Sequence, residues 1–330
     1  MKKITSLILV LTLVMSFLCS CSLFTTEESG GDGTGKIRIG TLSGPTGMGM
    51  AKMINDYGLD SDKYSFTVFG DPVAAQNAFV AGDLDAICLP TNNAAKLFEK
   101  TNGNLYVAAV NCLGSLYVIS SPDVNIESIN DLEGKTIYAS VPNSTTGAII
   151  NYILESNNIN ATVSFEFDGE TLTDHDLLAT RIGEGKIDLA ILPEPKATAT
   201  VISNPTLGLT IDLNLSTEWE KVADETSPLT MGCIIFNKAF ADANKDAVNK
   251  FLNEYEASIK YINEKSNLDS SSEMIAAAGI LPKAALAKKA LLNLYGSIIY
   301  IDGVAMKTAL KGFYTVINQA QPADSFYYEK

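Results

Sequence analysis

The sequence has little positive charge and almost no histidine. Its 330 residues include 24 Lys and Arg against 38 Asp and Glu, for a net charge of −14, and arginine occurs only at Arg38 and Arg181. Binding to nucleic acid needs a basic surface that displaces counterions from the phosphates, so we expect no nucleic-acid partner. The single histidine, His175, lies between two aspartates at a predicted helix start, where we expect a solvated surface position.

Signatures of metal binding and catalysis are also missing. One histidine cannot form a paired-histidine zinc site, and neither a phosphate-binding G-x-x-x-x-G-K-[ST] loop nor a G-x-S-x-G nucleophile motif occurs. Cys88, Cys112 and Cys233 lie in apolar, strand-like runs without metal-ligand spacing. They predict buried thiols, with a disulfide among them as the less favoured alternative. We expect no catalytic residue, no metal and no cofactor.

Long apolar runs are absent except at the N-terminus, where Lys2 and Lys3 precede the run from Ile4 to Leu18. This run is too short to span a bilayer comfortably and is typical of a signal-peptide core. It ends at Leu18-Cys19-Ser20-Cys21, which resembles the bacterial lipobox, whose cysteine receives a lipid. We predict a lipoprotein signal peptide at residues 1–20 and an extracytoplasmic chain anchored to the cell membrane through lipidated Cys21. An ordinary secretory signal is the alternative.

The segment after the predicted cleavage site is polar, acidic and rich in glycine from Ser22 to Gly35. It contains too few apolar residues to bury a core. We therefore predict a flexible tether at residues 21–35. The remaining chain is long enough for two domains at about 100–200 residues each.

An internal repeat divides this remaining chain. The segment Gly82–Pro90 (G-D-L-D-A-I-C-L-P) aligns without a gap with Gly185–Pro193 (G-K-I-D-L-A-I-L-P). A second pair, Ile39–Gly47 and Ile137–Gly147, shows a strand, a loop and a T-G that opens a helix. Strands that alternate with helices favour parallel pairing. We predict an α/β fold with two similar Rossmann-like lobes.

The chain continues beyond the second copy through an apolar run at Leu229–Phe236 and three helical stretches, Lys245–Glu264, Pro282–Leu294 and Val304–Asn318. These elements must pack on one of the two lobes. The economical solution crosses between the lobes twice, near residues 115–122 and 227–236, which makes a two-segment hinge. We assign residues 36–120 plus 227–330 to lobe 1 and residues 121–226 to lobe 2.

Three segments carry a family resemblance: Ala78–Ile87 (A-F-V-A-G-D-L-D-A-I), Ile129–Ile137 (I-N-D-L-E-G-K-T-I) and Gly185–Pro195 (G-K-I-D-L-A-I-L-P-E-P). They resemble the type II periplasmic-binding-protein fold, in its nitrate/sulfonate/taurine and thiamine-pyrimidine-precursor branch. The resemblance implies a monomeric solute-binding protein that captures a small molecule between two lobes and delivers it to the permease of an ABC importer. Two alternatives are a ligand-sensing lipoprotein without a transporter and an enzyme on the same fold. The catalytic relatives are cytoplasmic, which conflicts with the predicted export signal.

Ligands of open α/β sheets bind at the carboxyl ends of the strands, where helix N-termini present free N–H groups. The candidate residues there are mostly Ser, Thr, Asn and Gly, and their hydroxyls are equally suited to be helix caps. The predicted ligand-binding residues are Ser43, Gly44, Thr46, Gly47, Met48, Asp71, Thr91, Asn92, Tyr117, Asn143, Ser144, Thr145, Thr146, Gly147 and Glu194.

The ligand class follows from what these loops contain. They lack Lys and Arg, which disfavours an α-amino acid held by a guanidinium and a large, multiply charged anion. Two classes remain: a small sulfonate-like oxyanion held by helix N-termini, or a neutral heterocycle such as a pyrimidine bonded to Asn92, Asn143 and Glu194. Glu194 favours the heterocycle, because an uncompensated carboxylate in the cleft would repel an anion.

Overall fold

The computed structural model describes residues 35–142 and 144–330, which form two large mixed β-sheets flanked by helices and one short two-stranded antiparallel sheet. The predicted signal peptide, Cys21, almost all of the predicted tether and Asn143 lie outside these residues. The strands are β1 (Ile37–Leu42), β2 (Tyr64–Phe69), β3 (Ala86–Pro90), β4 (Leu105–Leu113), β5 (Leu116–Ser120), β6 (Thr136–Tyr138), β7 (Thr162–Ser164), β8 (Glu166–Phe167), β9 (Glu170–Thr171), β10 (Leu189–Pro193), β11 (Thr210–Asn214), β12 (Thr230–Asn237) and β13 (Ile298–Ile301).

The helices lie between these strands and after them. They are α1 (Pro45–Met48), α2 (Ala51–Tyr57), α3 (Pro72–Val80), α4 (Thr91–Lys100), α5 (Thr145–Ser156), α6 (His175–Gly183), α7 (Lys196–Ser203), α8 (Leu215–Glu220), α9 (Lys238–Ala243), α10 (Lys245–Asn263), α11 (Leu268–Ala277), α12 (Ala284–Asn293) and α13 (Gly303–Val316). The three helical stretches predicted after the repeat are confirmed as α10, α12 and α13. Within the described residues, no helix is both long and apolar enough to cross a membrane.

The two sheets share one strand order. The first sheet runs β2-β1-β3-β12-β4-β13 and the second runs β7-β6-β10-β5-β11. In each sheet the second strand in this order, β1 or β6, pairs in parallel with both neighbours. An antiparallel strand, β12 or β5, follows next to β3 or β10. The predicted α/β fold with two similar halves is therefore confirmed.

The aligned segments of the repeat fold alike. Each begins at a glycine in a left-handed conformation, Gly82 with φ 83° and Gly185 with φ 67°, which lets a helix end turn directly into a strand. The strands that follow, β3 and β10, are each buried over four consecutive residues and end at a proline. Proline cannot donate a ladder hydrogen bond, so it suits a strand end.

The chain passes from the first sheet to the second at Gly114 and Ser115, which have φ of 65° and 94° and separate β4 from β5. It returns through residues 221–229, between α8 and β12. The strand β5 hydrogen-bonds to β10 and β11 in the second sheet. The boundary predicted at residue 120 therefore lies too late, because residues 116–120 pair in the second sheet.

The core fills both faces of the first sheet. One face packs against α10, α11 and α12 through side chains that include Phe251, Ile275 and Leu291. The cluster on the other face continues onto the second sheet, where it includes Val118 of β5 and Trp219 of α8. Cys88, Cys112 and Cys233 are buried, free thiols, as predicted.

Candidate functional site

The carboxyl ends of the two sheets face each other. A Cβ built on Gly44, in the loop after β1, would lie 3.6 Å from Cδ of Pro195, in the loop after β10. The backbone N–H of Glu194 donates to the carbonyl of Ser115 at the crossing between the sheets, at 2.8 Å. The loops that the sequence singled out in the two halves therefore meet in space, around residues 44 and 195.

The loop after β1 presents backbone more than side chains. Ser43 is exposed, and its N–H donates to the carbonyl of Phe69 at 2.9 Å. Thr46 is half-buried, and its carbonyl accepts from Nδ2 of Asn111 at 3.2 Å. Gly47 packs so closely that a Cβ would lie 1.9 Å from the carbonyl oxygen of Leu42.

Met48 does not line this loop's outer surface. Its side chain is fully buried in the cluster between the first sheet and the α10–α12 layer. The short helix α1 thus gives this apolar side chain a packing role, and its contact with the ligand stays a prediction.

Two residues predicted near the ends of β2 and β3 have structural partners. Asp71 caps α3, accepting from the N–H groups of Val73 at 2.8 Å and Ala74 at 3.1 Å. Thr91 is buried, and its hydroxyl donates to the carbonyl of Thr230 at 2.8 Å. Helix α4 starts at Thr91 and has no side-chain cap. Its first backbone N–H groups and the half-buried Asn92 therefore lie at the carboxyl end of β3.

The loop after β6 opens the longer helix α5. Ser144 caps it, with the N–H of Gly147 donating to Oγ at 3.4 Å. Thr145 is half-buried and Thr146 is buried. A Cβ on Gly147 would lie 2.7 Å from Cζ of Phe165, so only glycine lets the first turn of this helix pack directly on that ring.

His175 lies next to this loop, which the sequence did not predict. Its Nδ1 is 2.5 Å from Oγ of Ser140, directly before the loop. The ring is half-buried at the start of α6, and burial, together with the nearby Lys196, lowers its pKa. The predicted solvated position is wrong, because the hydrogen bond to Ser140 draws the ring inward. The only signal in the sequence was that His175 lies at a predicted helix start.

Lys196 adds a cation to the same region. It begins α7, one residue after Pro195, and forms an ion pair with Asp176. The candidate loops defined from the sequence ended at Glu194. The conclusion that they contain no Lys or Arg therefore left out Lys196.

Glu194 is engaged within the protein. It is 2% exposed, its Oε1 accepts from Oγ1 of Thr198 and from Nδ2 of Asn293, both at 2.6 Å, and its Oε2 accepts from the N–H of Thr198 at 3.3 Å. Burial raises its pKa, although these hydrogen bonds oppose the shift. Three of about four acceptor positions are thus used internally. The hypothesis of a bound heterocycle required these acceptor positions of Glu194 to be available for the N–H groups of the ligand.

Tyr117 is likewise turned inward. It is buried in the cluster of the second sheet, and its hydroxyl donates to the carbonyl of Asn293 at 2.6 Å. Burial is the main cause that raises its pKa.

Among the described residues, no group of three or more His, Cys, Asp or Glu side chains is arranged to hold a metal ion.

Solved structures share this architecture of two sheets with facing loops. An ABC transporter protein from Parabacteroides distasonis has a TM-score of 0.71 and 19% identity, over 90% of this chain and 99% of that chain. The periplasmic aliphatic sulphonate binding protein SsuA from Escherichia coli has a TM-score of 0.65 and 14% identity, over 89% and 92%. The periplasmic nitrate-binding protein NrtA from Synechocystis has a TM-score of 0.56 and 10% identity, over 82% and 74%. The chain therefore has the periplasmic-binding-protein fold.

The sequence places the chain more narrowly. Residues 61–281 match the family described as ABC transporter, phosphonate, periplasmic substrate-binding protein. No curated protein matches the chain by sequence. Because the family match covers more than half of the chain, the chain belongs to this family and is the substrate-binding component of an ABC importer.

Proposed function

We propose that the chain captures a small oxyanion, of the phosphonate or sulfonate type, between its two halves and delivers it to an ABC permease without catalysing a reaction. The observation that carries the proposal is the start of α5, where Ser144, Thr145 and Thr146 precede Gly147 next to His175. A helix N-terminus with hydroxyls favours an anion through its N–H groups and its dipole. The uncapped start of α4 offers a second such end from the first sheet.

The names of related proteins support an oxyanion. The matched family is described for phosphonate, and two of the similar structures are named for aliphatic sulphonates and for nitrate. Each of these solutes carries oxygen atoms on a single central atom, which converging N–H and O–H donors can bind. The partners we assign are therefore this solute and a permease, with the chain acting as a monomer.

The carboxylate that favoured a heterocycle does not oppose an anion. Glu194 is buried, and the hydrogen bonds from Thr198 and Asn293 occupy its oxygens, so its carboxylate is turned away from a solute and compensated within the protein. Lys196, two residues away, brings an ammonium group to this region, where it is ion-paired with Asp176. We therefore prefer the oxyanion to the neutral heterocycle.

A thermal-shift screen tests the ligand class. Methylphosphonate, ethanesulfonate and nitrate are compared with cytosine and with an α-amino acid. A ligand at 100 times its dissociation constant stabilises the folded chain by about 2.7 kcal/mol. We expect a shift with at least one oxyanion, reduced in Thr145→Val and retained in the control Thr162→Val, whose threonine is exposed on β7. A shift with cytosine or the amino acid alone would contradict the proposal.

We also propose two lobes, residues 36–114 plus 227–330 and residues 115–226, which follow the strands of the first and second sheets. The two backbone crossings between them, at Gly114–Ser115 and residues 221–229, support a hinge. These are the predicted lobes with the first boundary moved to the observed crossing.

We further propose that lipidated Cys21 anchors the chain outside the cytoplasm. Cys21→Ser should release the protein from the membrane fraction, because a lipid-linked cysteine supplies the hydrophobic anchor. Cys19→Ser, two residues earlier, is the matched control and should stay in the membrane fraction. Unchanged membrane retention of Cys21→Ser would refute the anchor.

A further inference from the structure

The side chain of Asn293 connects the two proposed lobes. Its Nδ2 donates to Oε1 of Glu194 at 2.6 Å and lies 3.0 Å from Oγ1 of Thr198. The backbone carbonyl of Asn293 accepts from the hydroxyl of Tyr117 at 2.6 Å. We propose that Asn293 and Glu194 form a latch that holds the lobes in their closed arrangement and thereby sets the affinity for the solute. This inference rests on the proposed function.

The partners belong to different halves of the molecule. Asn293 ends α12, whose buried residues Ala287, Ala290 and Leu291 pack in the cluster of the first sheet. Tyr117 lies on β5 of the second sheet, Glu194 follows β10, and Thr198 lies on α7. One amide side chain and its own backbone carbonyl therefore bind three groups across the boundary.

The contact is short and shielded from water. Glu194, Thr198 and Tyr117 are each at most 3% exposed, and Asn293 is half-buried. A hydrogen bond to a buried carboxylate is stronger than one between neutral groups, and removing its donor leaves an acceptor unpaired. A rotation of the lobes that separates donor and acceptor beyond about 3.5 Å breaks the bond. The latch therefore favours the arrangement in which the loops at residues 44 and 195 face each other.

The latch acts on affinity through the conformational equilibrium. A protein whose binding-competent state is only partly populated binds its ligand more weakly in proportion to that population. Removing the Asn293 amide lowers the closed population, so we expect binding about tenfold weaker, without the loss of any ligand contact. Asn293 is thus a positioning residue.

Interlobe distance tests the latch without a ligand. Spin labels at Val73→Cys and Thr171→Cys, both exposed and on opposite lobes, report the separation by pulsed electron resonance. We expect Asn293→Ala and Glu194→Ala to lengthen or broaden the distance distribution of the ligand-free chain. Glu194→Gln, which keeps an acceptor oxygen for Asn293, should preserve it, as should the control Asn253→Ala on the exposed face of α10. Unchanged distances in both alanine variants, with or without a lower melting temperature, would overturn the latch.

A titration with methylphosphonate separates this inference from the proposed function. If the latch is correct, Asn293→Ala weakens binding about tenfold, and saturating methylphosphonate restores the short distance. If methylphosphonate, ethanesulfonate and nitrate all fail to bind the wild-type chain while Asn293→Ala still lengthens the distance, the oxyanion proposal fails and the latch stands. Equal affinity of the variant and the wild type would overturn the latch.

Discussion

At the scale of single residues, Gly232 determines how closely the loop after β1 packs on the first sheet. A Cβ there would lie 2.3 Å from Cγ2 of Thr46 and 2.5 Å from Oδ1 of Asn111. We expect Gly232→Ala to lower the free energy of unfolding by about 1–3 kcal/mol, because overpacking displaces its neighbours. Denaturant unfolding measures this loss. Gly70→Ala, with no atom within 4 Å of its Cβ, is the control, and equal midpoints for the two variants would contradict the packing account.

His175 makes the stability depend on pH. Burial is the main cause that lowers its pKa, so the folded chain holds the neutral ring more strongly than the unfolded chain, whose histidine titrates near 6.5. Between the two pKa values the unfolded state binds more protons, so stability falls as the pH drops below about 6.5. His175→Gln should remove this part of the pH dependence. Denaturant unfolding from pH 7.5 to pH 5 measures it, and parallel curves for both proteins would be inconsistent with a lowered pKa of His175 in the folded chain.

Single residues also show why part of the candidate site was not predictable. The loops after β1 and β6 follow from strand ends and T-G pairs that are local in sequence. One partner of Glu194, Asn293, lies 99 positions further along the chain, and nothing near either residue in the sequence indicates the contact. Met48 has the sequence context of a loop, and only the turn of α1 shows that its side chain belongs to the core.

At the scale of elements, the cap of α3 tests whether Asp71 is structural. Asp71→Ala should cost about 0.5–2 kcal/mol of unfolding free energy, because two N–H groups lose their acceptor. Asp71→Asn should keep most of the stability, since asparagine caps equally well. Denaturant unfolding compares the variants. If Asp71→Asn kept its stability but lost solute binding, Asp71 would instead be a ligand contact.

The regular elements were largely predictable, because the repeat places equivalent strands at equivalent positions. The gapless pair aligned β3 with β10, and the strand-loop-T-G pair aligned β1 with β6. Helix α11 was missed, since its start at Leu268-Asp269-Ser270-Ser271-Ser272 has the composition of a loop. Two of its serines bond back to the preceding turn: the Ser270 hydroxyl donates to the carbonyl of Asn267 at 3.0 Å, and the buried Ser272 hydroxyl donates to the carbonyl of Leu268 at 2.6 Å.

At the scale of the whole molecule, the crossings predict a closing motion. The chain changes sheets at Gly114 and Ser115, which both have positive φ. The first crossing is closely packed, because a Cβ on Gly114 would lie 1.7 Å from Oγ of Ser216. We expect ligand-saturated protein to be more compact than ligand-free protein in small-angle scattering, because closing lobes bury the solute. Identical profiles in both states would indicate a rigid binding module.

The central claim is that one small oxyanion binds between the two sheets, and calorimetric titration of the purified chain with methylphosphonate, ethanesulfonate and nitrate tests it most directly. We predict saturable binding of at least one of them at one site per chain, weakened when Thr145→Val removes a hydroxyl at the start of α5. Absence of saturable binding by all three oxyanions, with binding of cytosine at one site per chain, would contradict the account.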